Sequence, residues 1–262
     1  LTRPPIIFTQ GEIIGDWEYN NFVKNLADRN ENTKIALITG ARSGIGKALV
    51  SAFSERGVKT IGLDKEVDVR KSKVISRAVK KVVKKYGHID IVVNNAAVAI
   101  YKPITKLTEK EWQRVIDTNL SGTFNVTKAV LPVLLKRHSG VIINISSQLG
   151  RRGYPGLTSY CASKFGIIGF TESLAGELKG TGVKTYAILP GGVDTRLYHN
   201  INKVESKYVG FKYSITKERK RILKPEEIAE PIVNLALNRQ LKSGSKIEIS
   251  KKGQRMIKRT YL

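Results

Sequence analysis

The sequence predicts an α/β fold, a single-domain doubly wound parallel sheet with helices on both faces, and three observations carry that reading. Short apolar runs at residues 34–38, 59–63, 89–93, 141–145, 184–188 and 246–249 have the length and branched-chain content of strands buried on both sides. Longer segments of helical periodicity separate them, and strand alternating with helix is the pattern of parallel sheets. The first run also passes directly into a glycine-rich turn and then a helix. With 262 residues, 41% of them hydrophobic, the chain suits one such domain better than two.

In chain order, residues 1–33 precede the first strand. Within them, 6–8 read as a short strand, and 16–29 read as a helix with Trp17, Phe22, Val23 and Leu26 on its apolar face. This segment is expected to be an extension packed on a body formed by residues 34–262. The first strand leads into Gly40, Arg42, Ser43, Gly44, Ile45 and Gly46, which open a helix that stops at Gly57. Glycines at this G-x-x-x-G-x-G spacing let the backbone approach a pyrophosphate, which then meets the amides of the helix N-terminus. The second strand ends at Asp64, eighteen residues after Gly46. An acid there can accept hydrogen bonds from an adenosine ribose and repels a 2′-phosphate, which favours NAD. Arg42 and Lys65 keep NADP open, because either could pair with that phosphate.

An amphipathic helix over 74–86 ends at Gly87, and Asn94-Asn95-Ala96-Ala97 follows the next strand. Thr108 and Glu111 form a capping box that opens a long helix to about residue 137, with Asn119 inside it, where an Asn can satisfy helix carbonyls at a kink. Ser147 follows the strand at 141–145, at the carboxyl end where open sheets bind ligands. Thr158 or Ser159 can cap the next helix, which carries Tyr160 and Lys164. Four residues apart, those two side chains share a helix face. A phenol titrates near pH ~10, and a neighbouring ammonium favours its ionised form, so the pair can act as proton donor and acceptor. The spacing alone says little, since long side chains on a helix face often just reach for solvent. After the strand at 184–188 come Pro190, Gly191, Val193 and Thr195, and the strand at 246–249 is read as the last.

Taken together in this order, the glycine turn, Asn94-Asn95-Ala96, Asn119, Ser147, Tyr160-x-x-x-Lys164 and Pro190-Gly191 resemble the short-chain dehydrogenase/reductase family over about residues 34–235. The likeness is to members of the 3-oxoacyl-carrier-protein reductase and glucose dehydrogenase type. It implies a Rossmann-type fold that moves hydride between NAD, or NADP, and an alcohol or ketone. It further implies Tyr160 as acid/base, Lys164 as the residue that lowers its pKa and binds the nicotinamide ribose, Ser147 on the substrate oxygen, and Asn119 holding a water of the proton relay. Gly40, Arg42, Ser43, Gly44, Ile45, Gly46, Asp64, Asp68, Val69, Asn95, Ala96, Pro190, Gly191, Val193 and Thr195 would bind the cofactor with Tyr160 and Lys164. No metal is implied. Residues 196–223 match the family's substrate lid, and the helix of Tyr160 is expected to pair between subunits in a homodimer or homotetramer. The sequence departs from the family pattern in three places. Asp68-Val69 resembles the adenine-flanking pair, yet only three residues separate it from Asp64, too few for a helix and a strand, so the family's third strand is expected to be missing. Ala97 stands where relatives have Gly, and Ile249-Ser250-Lys251-Lys252-Gly253 replaces a Val-Asp-Gly-Gly close. The competing reading is a non-catalytic dinucleotide sensor or scaffold of the same fold.

The formal charge of +24 is the unusual number. A nucleic-acid role is not expected, because the lysines spread over nearly every segment without interleaved aromatics or a reading motif. An anionic substrate is one reading of the charge, and a solvated Lys-rich surface is the other. No apolar run approaches the ~20 residues of a membrane span, no signal peptide is read at residues 1–33, and one cysteine, Cys161, fits a reducing compartment, so a cytoplasmic enzyme is expected.

Overall fold

The computed structural model describes residues 33–64, 66–205, 222–250 and 253–257, with side chains left out at 202–205 and 257. The expectations for residues 1–32, for Lys65 and for the middle of the 196–223 segment fall outside them. Among the described residues the elements run β1 (Ile35–Thr39), α1 (Gly44–Ser54), β2 (Lys59–Leu63), α2 (Ser72–Tyr86), β3 (Ile91–Asn94), α3 (Glu109–Ile116), α4 (Gly122–Lys136), β4 (Gly140–Ile145), α5 (Thr158–Glu177), β5 (Val183–Pro190), α6 (Arg196–Glu205), α7 (Pro225–Asn238), β6 (Lys246–Ser250) and β7 (Gly253–Ile257).

The strands form one seven-stranded sheet in the order β2-β1-β3-β4-β5-β6-β7. All neighbours are parallel except β6 and β7. Side chains alternate along a strand, so each strand feeds two cores. Ile38, Val93 and Ile143 pack with Leu49 and Phe53 of α1 and Ile228 and Ile232 of α7. Leu37, Val92 and Ile142, one position earlier, pack with Ile75 and Val79 of α2 and Val126, Val130 and Leu134 of α4. Each such fully buried aliphatic side chain contributes about 1.5–3 kcal/mol relative to exposure, which is why the runs carry almost no polar residues.

Two expectations about the edges meet different outcomes. The missing third strand is borne out: among the described residues β2 pairs only with β1, and no strand lies between Asp64 and α2. The strand at 246–249 is not the last, however. The replaced closing segment turns back as β7, antiparallel to β6 with Glu248 opposite Arg255. The sheet is therefore mostly, not wholly, parallel.

The chain leaves β1 toward β2 on one side and returns to β3 on the other. The crevice between the carboxyl ends of β1 and β3 is thus the topological switch point where such sheets bind ligands. The Thr108 and Glu111 capping box opens α3 as read. Residues Asp117–Ser121 then form one π-helical turn between α3 and α4, which puts Asn119 at an irregularity in the long helix. Helix α5 lacks the expected Thr158 or Ser159 cap: its N-cap is Leu157, with no side-chain hydrogen bond, and the Ser159 hydroxyl is buried without a partner.

Candidate active site

The glycine turn is held open by its own backbone. Gly40 and Gly44 have φ of 64° and 53°, left-handed conformations that side chains disfavour. Gly46 is required for a different reason: a Cβ there would stand 2.0 Å from the Gly40 carbonyl oxygen, because α1 begins directly against the turn. Thr39 at the end of β1 fastens this turn to the next strand, its hydroxyl accepting from the backbone N–H of Asn95 and of Ala96, both at 2.9 Å. The Asn95 amide returns the contact by donating to the carbonyls of Thr39 and Gly40 at 3.0 and 3.2 Å. Asn95 therefore braces the turn with both its backbone N–H and its side chain.

A cavity of about 260 Å³ opens there, lined at one end by Gly40, Ser43, Gly44, Ile45, Asn95 and Ala96. The same cavity is lined by Ser147, Tyr160 and Lys164 and by Pro190, Gly191, Val193 and Thr195. Five segments of the chain thus bring most of the expected residues to one space. The Ser147 hydroxyl accepts from the Leu149 N–H at 3.1 Å. Its hydroxyl is also hydrogen-bonded with the Tyr160 phenol. Lys164 is buried under Tyr160, its Nζ donating to the Ile145 carbonyl at 2.7 Å and lying 5.5 Å from the phenol ring centre.

Burial sets the charge states. The Tyr160 phenol is pushed up to about 12 by desolvation, which outweighs the lowering by the Ser147 hydrogen bond. The Lys164 ammonium is pushed down to about 7 by the same cause. Desolvation is the largest influence on both groups, and the Lys164 Nζ keeps donors beyond the one given to Ile145. At neutral pH the phenol is protonated, the form able to give a proton to a carbonyl oxygen.

Six expected residues stand off the cavity. Gly46 acts through the turn. Asn119 is buried, its side chain accepting from Val98 N–H at 2.8 Å and donating to Val98 C=O and to the Ser163 hydroxyl at 2.9 and 3.0 Å. It joins the loop after β3 to α5 beside Lys164. Asp64, only 17% exposed, accepts from the Arg42 backbone N–H at 2.8 Å, with Arg42 Nε at 4.0 Å. Arg42, also outside the lining, gives its guanidinium to Glu66 at 2.7 Å. Asp68 and Val69 are turned to other work. Arg70 holds the Asp68 carboxyl below the usual range, and Val69 packs under α4, where a Cβ on Gly122 would lie 2.8 Å from it. The loop over 151–157, expected from its Gly and Pro content to lie over the site, adds Arg152, Tyr154 and Leu157 to the cavity wall, and the expected lid segment adds Ile201. The sequence reading missed Gln148 and Leu149, whose only signal was proximity to Ser147.

A switch-point glycine turn sharing one cavity with a Ser, Tyr and Lys cluster defines a nucleotide-dependent oxidoreductase fold. The family model for short chain dehydrogenase matches residues 63–206. The 3-oxoacyl-[acyl-carrier-protein] reductase of Thermotoga maritima is 37% identical over 225 residues, covering 78% of this chain and 90% of that protein. The reductase of the same description from Chlamydia muridarum is 36% identical over 228 residues, covering 78% and 90%. Among solved structures, the aldohexose dehydrogenase of Thermoplasma acidophilum superposes with a TM-score of 0.75 at 27% identity, covering 84% of this chain and 94% of that one. The 3-ketoacyl-(acyl-carrier-protein) reductase of Brucella melitensis, solved with NADH, shares the fold with a TM-score of 0.72 at 24% identity, covering 83% and 96%. The chain belongs to the short-chain dehydrogenase family. It is an NAD(P)-dependent oxidoreductase acting on an alcohol or ketone, and nothing supports the non-catalytic alternative. No described helix is long and apolar enough to cross a membrane.

Proposed function

We propose that Tyr160 is the proton donor and acceptor of this oxidoreductase, with Ser147 steadying the substrate oxygen, Lys164 holding the nicotinamide ribose and Asn119 completing the proton relay. The observation that carries this reading is the hydrogen bond between Ser147 and Tyr160, directly above buried Lys164, in the same cavity as the glycine turn. The cradle fits a dinucleotide. Gly40 and Gly44 keep side chains away from the place a pyrophosphate would occupy, Asn95 and Ala96 would bind the cofactor beside that turn, and Pro190, Gly191, Val193 and Thr195 would hold the nicotinamide end. When bound, the nicotinamide supplies or accepts the hydride. Tyr160 gives its proton to the oxygen in reduction and takes it back in oxidation, and Ser147 fixes that oxygen within reach.

NAD is the expected cofactor. Of the two cations that could pair with a 2′-phosphate, Arg42 and Lys65, Arg42 has its guanidinium engaged by Glu66 and stands beside Asp64. The phosphate would also meet the Asp64 carboxylate. Asp64→Ala should narrow the preference for NAD over NADP by about tenfold, the worth of one charge-assisted hydrogen bond. Steady-state kinetics with both cofactors test it, and a wild-type preference for NADP would show that the nearby cations outweigh the acids.

For substrate, the wall of Leu149, Leu157, Leu197 and Ile201 suits an apolar body, and Arg152 at the cavity's edge suits an anionic end. A 3-oxoacyl thioester has both features, and it is the substrate class named for the Thermotoga maritima and Chlamydia muridarum relatives. A homo-oligomer is expected through α4 and α5. Phe124 and Phe165 there are each 45% exposed, and Gly169 faces open space.

A further inference from the structure

Glu248 sits on β6, outside the residues that line the cavity, and its side chain is only 14% exposed. Both carboxylate oxygens are engaged. Oε1 accepts from Gln148 Nε2 at 3.0 Å, while Oε2 accepts from Arg151 Nη1 at 2.9 Å and Arg255 Nη2 at 3.3 Å. These donors come from two places. Gln148 and Arg151 bracket the short turn that follows Ser147, and Arg255 faces Glu248 across the β6–β7 pair.

Gln148 connects this cluster to the cavity. It lines the cavity, and a Cβ on Gly191 would stand 3.4 Å from its side-chain amide. Gly191 is itself tied to β6, its N–H donating to the Ile249 carbonyl at 3.0 Å. A glutamine amide next to an open site can choose among partners, including groups inside it. The carboxylate removes that choice, because charge-assisted bonds are stronger than neutral ones.

We propose that Glu248 is a positioning residue for the reaction: it draws the Gln148 amide onto β6, and so fixes from outside the cavity the turn presenting Ser147 and the Gly191 turn beside it. The strand β7, which the closing segment adds, contributes Arg255 to the same carboxylate. The role rests on the reading of the site given above, since it acts through Ser147 and Gly191. The glycine turn is braced by Thr39 and Asn95 rather than by Glu248, so Glu248 should govern turnover more than cofactor affinity.

The test compares wild type, E248Q, E248A, Q148A, the E248A/Q148A double variant and Y160F, using NADH and acetoacetyl-CoA, with NADH affinity and thermal melting recorded for each. E248A should lose about tenfold or more in kcat, as a small misplacement of reacting groups does, while NADH affinity stays within about threefold. E248Q, whose amide oxygen still accepts from Gln148, should recover most of kcat. E248A and Q148A should be strongly non-additive, because both break one link. A kcat for E248A within about twofold of wild type, whatever happens to melting, overturns the proposal, as do additive losses. Should E248A not fold, Q148A with wild-type kcat overturns it equally. Y160F separates the two claims: an active Y160F breaks the assignment of the site, whereas an unaffected E248A beside an inactive Y160F refutes the role of Glu248 alone.

Discussion

Lys164 shows most directly what burial does to a single side chain. Its ammonium titrates at about 7 in the fold, against ~10.4 for an unfolded chain. Between those values the unfolded state binds more protons than the native state, so this residue makes stability rise as pH rises across the window and fall as pH drops toward 7. Without added nucleotide, the melting temperature of wild type should therefore gain on that of Lys164→Met between about pH 7.5 and 9.5, over any constant offset from the lost bond to Ile145. Melting curves that stay parallel across the range would mean that Lys164 titrates like a solvated lysine. Tyr160 does not disturb the comparison, because its shift upward to about 12 costs stability only above its ordinary value near 10. Ser147, Tyr160 and Lys164 were legible as residues because a strand end and a four-residue helical spacing are local patterns. The balance that governs their charge was not legible, since desolvation depends on what α5 packs against. The Gln148 and Glu248 pair, a hundred residues apart in the chain, left no local trace.

Among the elements, the turn joining β1 to α1 depends most on one atom's absence. A methyl group at Gly46 would meet the Gly40 carbonyl oxygen at 2.0 Å, a backbone atom that cannot swing aside. Gly46→Ala should therefore displace α1 from the turn, costing about 1–3 kcal/mol and most of the NADH affinity. Denaturant melts and NADH titration of the variant check this, and a fully stable variant that still binds NADH would show that the turn tolerates a shift. The strands of the parallel sheet were readable because burial on both faces demands continuous apolar runs. The missing third strand was readable because three residues between Asp64 and Asp68 leave no room for it. Strand β7 was not, because Gly253–Ile257 carries no strand pattern of its own and is ordered by pairing with β6. The π turn at Asp117–Ser121 was anticipated only as a kink near Asn119.

At the level of the whole molecule, a charge of +24 favours solubility and opposes self-association, so an oligomer needs a specific apolar face. Phe124 on α4 and Phe165 on α5 supply candidates for it. Light scattering after size exclusion should report a dimer or tetramer, and Phe124→Asp with Phe165→Asp should shift it to monomer by burying unpaired charge in that face. A wild-type monomer at micromolar concentration would remove the helices from that role. The central claim concerns the cavity, where one tyrosine moves the proton that accompanies hydride transfer. Its most direct test is the rate of NADH oxidation by wild type and Tyr160→Phe with the same ketone. The variant should keep its NADH affinity and lose about 10²- to 10⁴-fold in turnover, the usual worth of a general acid. Turnover within about twofold of wild type, at equal NADH affinity, would contradict the assignment of Tyr160 and with it this account of the site.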